Sequence, residues 1–247
     1  MSKLASIKTQ LIFFLSGFGI YLSIIDKDVK FLLSCSAAVI SAIIIESSLN
    51  YLKEKKFSIT ESCIISGLIV GFVLASDNIW WIFVAATVLA IGSKYLIRLK
   101  NKHIFNPAAF GIFLSIIFFG ASTQWKGTYA WYILVPFGIY FIAKIRKMEL
   151  LISYFAVSLG LFAIQSFIQK VPLINIFGYL SYFYIFIMLI EPKTTPIKPL
   201  AKIIFGTGVA GLIFILSNVG VRFDVEIFAL LVFNLSVPIL EKLSIKK

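Results

Sequence analysis

Leu11-Ile12-Phe13-Phe14-Leu15-Ser16-Gly17-Phe18-Gly19-Ile20-Tyr21-Leu22-Ser23-Ile24-Ile25 runs without a charge, and Asp26-Lys27-Asp28 then leads straight into a second apolar run. With Lys3 and Lys8 before it, the stretch looks like a secretory signal, but no small-x-small cleavage site follows, so it reads as a retained membrane helix. The same alternation continues along the chain. Apolar segments fall near 9–25, 31–52, 59–76, 79–97 and 107–121, then near 128–143, 150–168, 173–190, 200–218 and 224–240. A bilayer core of about 30 Å needs a helix of roughly 20 residues, so ten such segments predict an all-α polytopic membrane protein with only short connections. The chain reads as a single transmembrane domain, 1–247, with halves 1–125 and 126–247.

Composition supports this. Of 247 residues 60% are apolar, 25 of them Phe, and 14% are charged, where a soluble domain has about 25% charged residues. No length is left for a separate soluble catalytic or nucleic-acid-binding domain. The formal charge of +12 is read as topology, because basic residues beside apolar spans report orientation. With ten spans, 18 of the 23 basic residues fall on the side of the N-terminus. Only Lys27, Lys30, Lys126, Lys170 and Arg222 fall on the other, balanced by Asp26, Asp28, Asp77, Asp224 and Glu226. Both termini are therefore expected in the cytoplasm, in a cell (inner) membrane, with lipid as a partner and no nucleic acid. Cys35 and Cys63 lie in apolar segments and His103 is the lone histidine, so neither a disulfide framework nor a thiolate metal site can be read.

Two patterns are set aside. Gly206-Thr207-Gly208-Val209-Ala210-Gly211 fits a dinucleotide-binding spacing but has no preceding strand, and its glycines, like Gly67 and Gly71, fit close helix contact instead. Asn234-Leu235-Ser236 is a glycosylation sequon inside an apolar span and is not an acceptor. Trp80 and Trp81 read as interfacial belt residues. Five spans per half would make any internal repeat inverted, but Ser66-Gly67-Leu68-Ile69 and Ala210-Gly211-Leu212-Ile213 are the nearest self-similarity.

The chemistry is expected at polar breaks in the apolar pattern, since irregular backbone at membrane depth must be buried in protein or line a cavity. One break runs from Lys94 through Lys102, His103 and Phe105-Asn106-Pro107-Ala108 to Gly111, with Asn106 placed as helix N-cap and Pro107 as first helical residue. Free amides and a positive helix end beside a basic cluster suit an anionic or carbonyl-bearing ligand. A second is Glu191-Pro192-Lys193-Thr194-Thr195-Pro196-Ile197-Lys198-Pro199, where Thr and Glu either satisfy groups freed by proline or contact a ligand. Glu46 is a third candidate, either paired within the membrane or reaching to its surface.

Together these blocks resemble the RnfD/NqrB family, the membrane subunits of ion-pumping electron-transport complexes. Ser62-Cys63-Ile64-Ile65-Ser66-Gly67-Leu68-Ile69-Val70-Gly71, Trp80-Trp81 and Gly92-Ser93-Lys94 are similar to its Gly-Leu segment, Trp pair and Gly-Lys. Phe105-Asn106-Pro107-Ala108 matches its Phe-Asn-Pro-Ala, and Met188-Leu189-Ile190-Glu191-Pro192-Lys193-Thr194-Thr195-Pro196 with Phe205-Gly206 its Met-x-x-acid-Pro block. Phe228 to Asn234 with Pro238 is similar to its final helix. The resemblance implies ten helices in two five-helix halves of urea-transporter-like architecture, a flavin (FMN or riboflavin), and other subunits of an electron-transport complex. It casts the chain as part of an ion-translocating oxidoreductase without independent catalytic activity. Well-known members attach FMN to Thr in a Ser/Thr-Gly-Ala-Thr motif, which is absent here; Gly120-Ala121-Ser122-Thr123 has the wrong order. A flavin is therefore expected to be noncovalent, held by Lys94, Lys102, Asn106, Pro107, Glu191, Thr194 and Thr195, with a lysine meeting any phosphate. A transporter or channel for a flavin or another small solute remains the alternative.

Overall fold

A computed structural model describes residues 6–99 and 102–243. Lys3, Lys100, Lys246 and Lys247, which enter the charge count above, lie outside the described residues. The chain is mostly helical: α1 (Ile7–Ile25), α2 (Val29–Glu54), α3 (Glu61–Val73), α4 (Trp80–Leu96), α5 (Pro107–Phe119), α6 (Trp131–Ile145), α7 (Met148–Gln169), α8 (Pro199–Val219) and α9 (Val225–Leu243). Helix ends follow local chemistry. The Ser6 hydroxyl accepts from the Thr9 amide at 3.1 Å to open α1, and Asp28 accepts from the Phe31 amide at 3.0 Å to open α2. Pro199 occupies the first turn of α8, where its missing N–H costs nothing, and Gly220 ends that helix at φ +74°.

Among the described residues four helices, α1, α2, α7 and α8, are long and apolar enough to cross a bilayer; α3, α4, α5 and α6 are apolar but shorter. At 1.5 Å per residue the 13 residues of α3 reach only about 20 Å. The expected span 173–190 is corrected: it divides into a 3-10 segment, Leu173–Tyr179, and a short helix containing a π-helical stretch, Tyr184–Met188, with Leu180 extended between them. Pro172 precedes the 3-10 segment, and Pro192 follows the π-helical stretch closely, so neither piece extends.

The described residues form two compact units. The first takes residues up to His103 together with Pro107–Gly127; the second takes Ile104–Asn106 together with the residues from Thr128. The tripeptide Ile104–Asn106 thus leaves its sequence neighbours and packs with the second unit. In the first unit Phe31, Phe72 and Phe83 are fully buried, with Phe31 edge-on to Phe72 at 5.1 Å. In the second, Phe183, Tyr184 and Phe205 are. Outward faces stay apolar: Phe13 and Ile24 are each 71% exposed and Phe167 83%, which suits lipid rather than water.

Gly67, Gly71 and Gly206 act as read from sequence. A Cβ on Gly67 would lie 2.8 Å from Val39 Cα, one on Gly71 2.7 Å from Cys35 Cα, and one on Gly206 2.5 Å from the Leu150 carbonyl oxygen. Gly67 and Gly71 therefore let α3 meet α2, and Gly206 lets α8 meet α7. Gly211 faces open space and has no such role.

Candidate functional site

In the second unit, the second polar break lies between the π-helical stretch and α8. Its prolines remove backbone donors, so side chains fold back to satisfy the turn. The Thr194 hydroxyl donates to Glu191 Oε2 at 3.0 Å, and the Thr195 hydroxyl donates to the Glu191 carbonyl at 2.6 Å. Both threonines are 2% exposed, while Glu191 is half-buried. Of the two roles read for these residues, satisfying freed groups is therefore the one the geometry displays. A hydroxyl that donates still has two lone pairs, so this does not remove its capacity to accept.

Asn106 joins the same turn. Its side-chain amide donates to the Met188 carbonyl at 3.4 Å, and its backbone amide donates to Asn234 Oδ1 at 2.8 Å. Asn234, on α9 and 1% exposed, in turn donates through Nδ2 to the Thr194 carbonyl at 3.0 Å. Residues 106, 188, 194 and 234, from three separate regions of the sequence, thus form one hydrogen-bonded group. Pro107 opens α5 directly after Asn106, at the expected start of that helix.

Lys147, between α6 and α7, closes the turn from another direction. Its ammonium donates to the Thr195 carbonyl at 3.2 Å and to the Pro196 carbonyl. The side chain is buried, and burial with the nearby positive Lys202 lowers its pKa to about 8; Glu241 and Glu149 offset this only in part. Lys202 itself donates to the Arg146 carbonyl at 2.6 Å and pairs with Glu149 at 3.0 Å.

In the first unit, Lys94 is buried at the end of α4 and its Nζ lies 3.4 Å from Glu46 Oε1. Glu46 Oε2 accepts from the Thr60 amide at 3.0 Å and from the Thr60 hydroxyl at 2.7 Å. Glu46 is therefore paired inside the protein rather than reaching to the surface. Tyr95 donates to Asn50 Oδ1 at 2.8 Å, and Asn50 donates to Ser58, tying the α2–α3 connection to α4. The Lys94 ammonium, one of the two lysines expected from sequence as partners for a phosphate, thus stands against a carboxylate. Lys102 is exposed in a two-stranded hairpin in which Arg98 pairs with His103 and Leu99 with Lys102. Trp80 is 71% exposed, and Trp81 packs edge-on to Phe119 at 5.2 Å.

Asn106, Glu191, Thr194 and Thr195 are thus brought together, whereas Lys94, Lys102 and Pro107 belong to the first unit. Asn234 and Lys147 were not among the expected site residues. Asn234 carried a signal, a carboxamide inside an apolar span. Lys147 carried none, since Arg146-Lys147 looks like any other inner-side charge pair. Among the described residues no group of three or more His, Cys, Asp or Glu side chains is arranged to hold a metal.

The described helices and their exposed apolar faces are those of a multi-pass membrane protein. No curated protein sequence matches the chain. The model of the NQR2, RnfD, RnfE family does match, over residues 3–132 and 127–247, and with Asn106 hydrogen-bonded to Met188 and Asn234 within the second unit, the chain belongs to that family of membrane subunits of electron-transport complexes.

Proposed function

We propose that the protein holds a flavin noncovalently in its second unit and takes part in electron transfer coupled to ion movement. The observation that carries this reading is the buried group of Asn106, Met188, Thr194 and Asn234, to which each polar break contributes one residue, Asn106 and Thr194. An isoalloxazine needs apolar walls and a few amide or hydroxyl partners. Asn106 supplies a carboxamide and Thr194 and Thr195 supply hydroxyl lone pairs, while Glu191 orients the Thr194 hydroxyl. When bound, the flavin supplies the redox chemistry; the protein binds it, orients it and keeps water from it. In this reading ten segments are associated with an inner membrane in a urea-transporter-like arrangement, with both termini cytoplasmic, and other subunits donate and accept the electrons.

The test is direct. Protein purified in detergent is incubated with riboflavin or FMN, freed of excess ligand and examined by visible absorption. Retention near one flavin per chain is expected; none retained with either ligand overturns the reading. A transporter of a flavin or other small solute is the second reading, favoured by the break in segment 173–190, because substrate sites in many transporters sit at interrupted helices. Uptake of riboflavin into proteoliposomes without a redox partner would establish it.

A further inference from the structure

We propose that Asn234 is a positioning residue for this site: one carboxamide on α9 sets both Asn106 and the Thr194 backbone, and so fixes Asn106 against the turn before α8. The proposal rests on the flavin reading for its functional consequence but not for its geometry. Asn234 is 1% exposed, and both ends of its amide are used. Oδ1 accepts from the Asn106 amide at 2.8 Å, and Nδ2 donates to the Thr194 carbonyl at 3.0 Å. A carboxamide carries a donor and an acceptor side by side in one rigid plane, and Gln, which offers the same group, is longer. Asp in its ionised form keeps the acceptor and loses the donor; Leu keeps the volume and loses both.

The arrangement also explains why Asn stands in the middle of an apolar helix. A lone carboxamide there is costly unless both its groups are paired, and the pairing partners are both main-chain groups of irregular segments. Asn106 lies just before α5 and Thr194 in the turn before α8, so both main-chain groups stand outside the helical ladders. Asn234 supplies what the two breaks lack. It touches no reacting atom in this assignment and acts through Asn106 and Thr194.

The experiment uses the full chain in detergent with Asn234→Leu, Asn234→Asp and the unchanged protein. Two readouts are taken: titration with riboflavin and with FMN, followed by flavin fluorescence, and the rate of tryptic cleavage after Lys193, which is exposed beside Thr194. Asn234→Leu is expected to weaken flavin binding by about tenfold or more and to speed that cleavage by roughly fivefold, while thermal unfolding of the remainder stays cooperative. Asn234→Asp is expected to lie between, because one of two hydrogen bonds survives; it carries the test if the Leu variant fails to fold. Unchanged cleavage and unchanged flavin affinity in both variants overturn the assignment. If the unchanged protein binds neither flavin, the flavin reading fails by itself, and the cleavage rate alone still decides the positioning role: faster cleavage supports it and an unchanged rate overturns it.

Discussion

Each unit contains a short apolar stretch of helix whose carboxyl end must be closed, and the two close it differently. After α3 the chain turns extended at Leu74, which bridges to Thr123. The carbonyls of Phe72 and Val73 then accept from the main-chain amides of Lys126 and Gln124 at 2.8 Å each, and the Ala75 amide donates to the Ser122 carbonyl at 3.0 Å. After the π-helical stretch the Met188 carbonyl accepts from the Glu191 amide at 3.3 Å and from the Asn106 side chain, and the carbonyls of Thr194, Thr195 and Pro196 accept from the side chains of Asn234 and Lys147. Main-chain closure tolerates sequence change, since any residue but proline brings the same donor. Side-chain closure does not, and it concentrates donors and acceptors in one buried place. The flavin proposed above is placed in the second arrangement for that reason.

Buried charge differs in the same sense. The first unit sets Lys94 against Glu46, with both side chains at most 6% exposed. The second leaves the Lys147 ammonium against carbonyl oxygens, with Lys202 as a like charge nearby. Breaking the matched pair should therefore have the largest effect. Glu46→Gln leaves Lys94 buried without its counter-charge and is expected to destabilise the protein by about 3–5 kcal/mol, whereas the double change Glu46→Gln with Lys94→Met recovers most of the loss. Unfolding of detergent-solubilised protein by titrated SDS checks both. A double change no more stable than Glu46→Gln alone would show that packing, not charge, accounts for the loss.

Lys147→Met comes next, at about 2–4 kcal/mol, because it strips two buried carbonyls of their donor. A pH series sharpens the point. The Lys147 pKa is about 8 in the folded protein and near the ordinary 10.5 when unfolded, so the native state binds fewer protons between those values. Stability should rise with pH from about 8 to 10.5, by at most about 3 kcal/mol, and the penalty is fully present below pH 8. Lys147→Met is expected to flatten that slope. A slope unchanged in Lys147→Met would assign it to another group.

Much of the fold was legible because apolar length and the distribution of charge are one-dimensional signals. The turn after α1, the start of α5 at Pro107 and the start of α8 at Pro199 follow from Asp28, Asn106-Pro107 and Lys198-Pro199. The break in segment 173–190 was not legible, since Leu173–Tyr179 is as apolar as a span and only its hydrogen bonding departs from one. At the site, the residue types of the Thr194-Thr195 turn could be read, but their partners could not. That Asn106 joins Met188 across 82 positions, and Asn234 reaches Thr194 across 40, depends on tertiary packing. Glu46 was recognised from its cost in an apolar span, but its partner was not, because Lys94 counts equally well as an inner-side charge.

The smallest expected effect probes the first unit's closure. Lys126 donates to Asp28 at 2.9 Å and lies 2.9 Å from Asp26, and its cation sits over the Phe31 ring at 5.2 Å. Burial pushes the Asp28 carboxyl up, but hydrogen bonds from Lys126, Phe31 and Ser76 and the Lys126 charge outweigh it and hold the pKa below the usual range. The Lys126 backbone amide meanwhile makes the bond that closes α3. Lys126→Met removes the ion pairs and leaves that main-chain bond in place. The loss should be about 1 kcal/mol, since the three charged groups are partly exposed and screened. If Lys126→Met instead costs as much as Lys147→Met, the first unit also depends on side chains to close its helix, and the contrast between the units as the reason for placing a ligand in the second would fail.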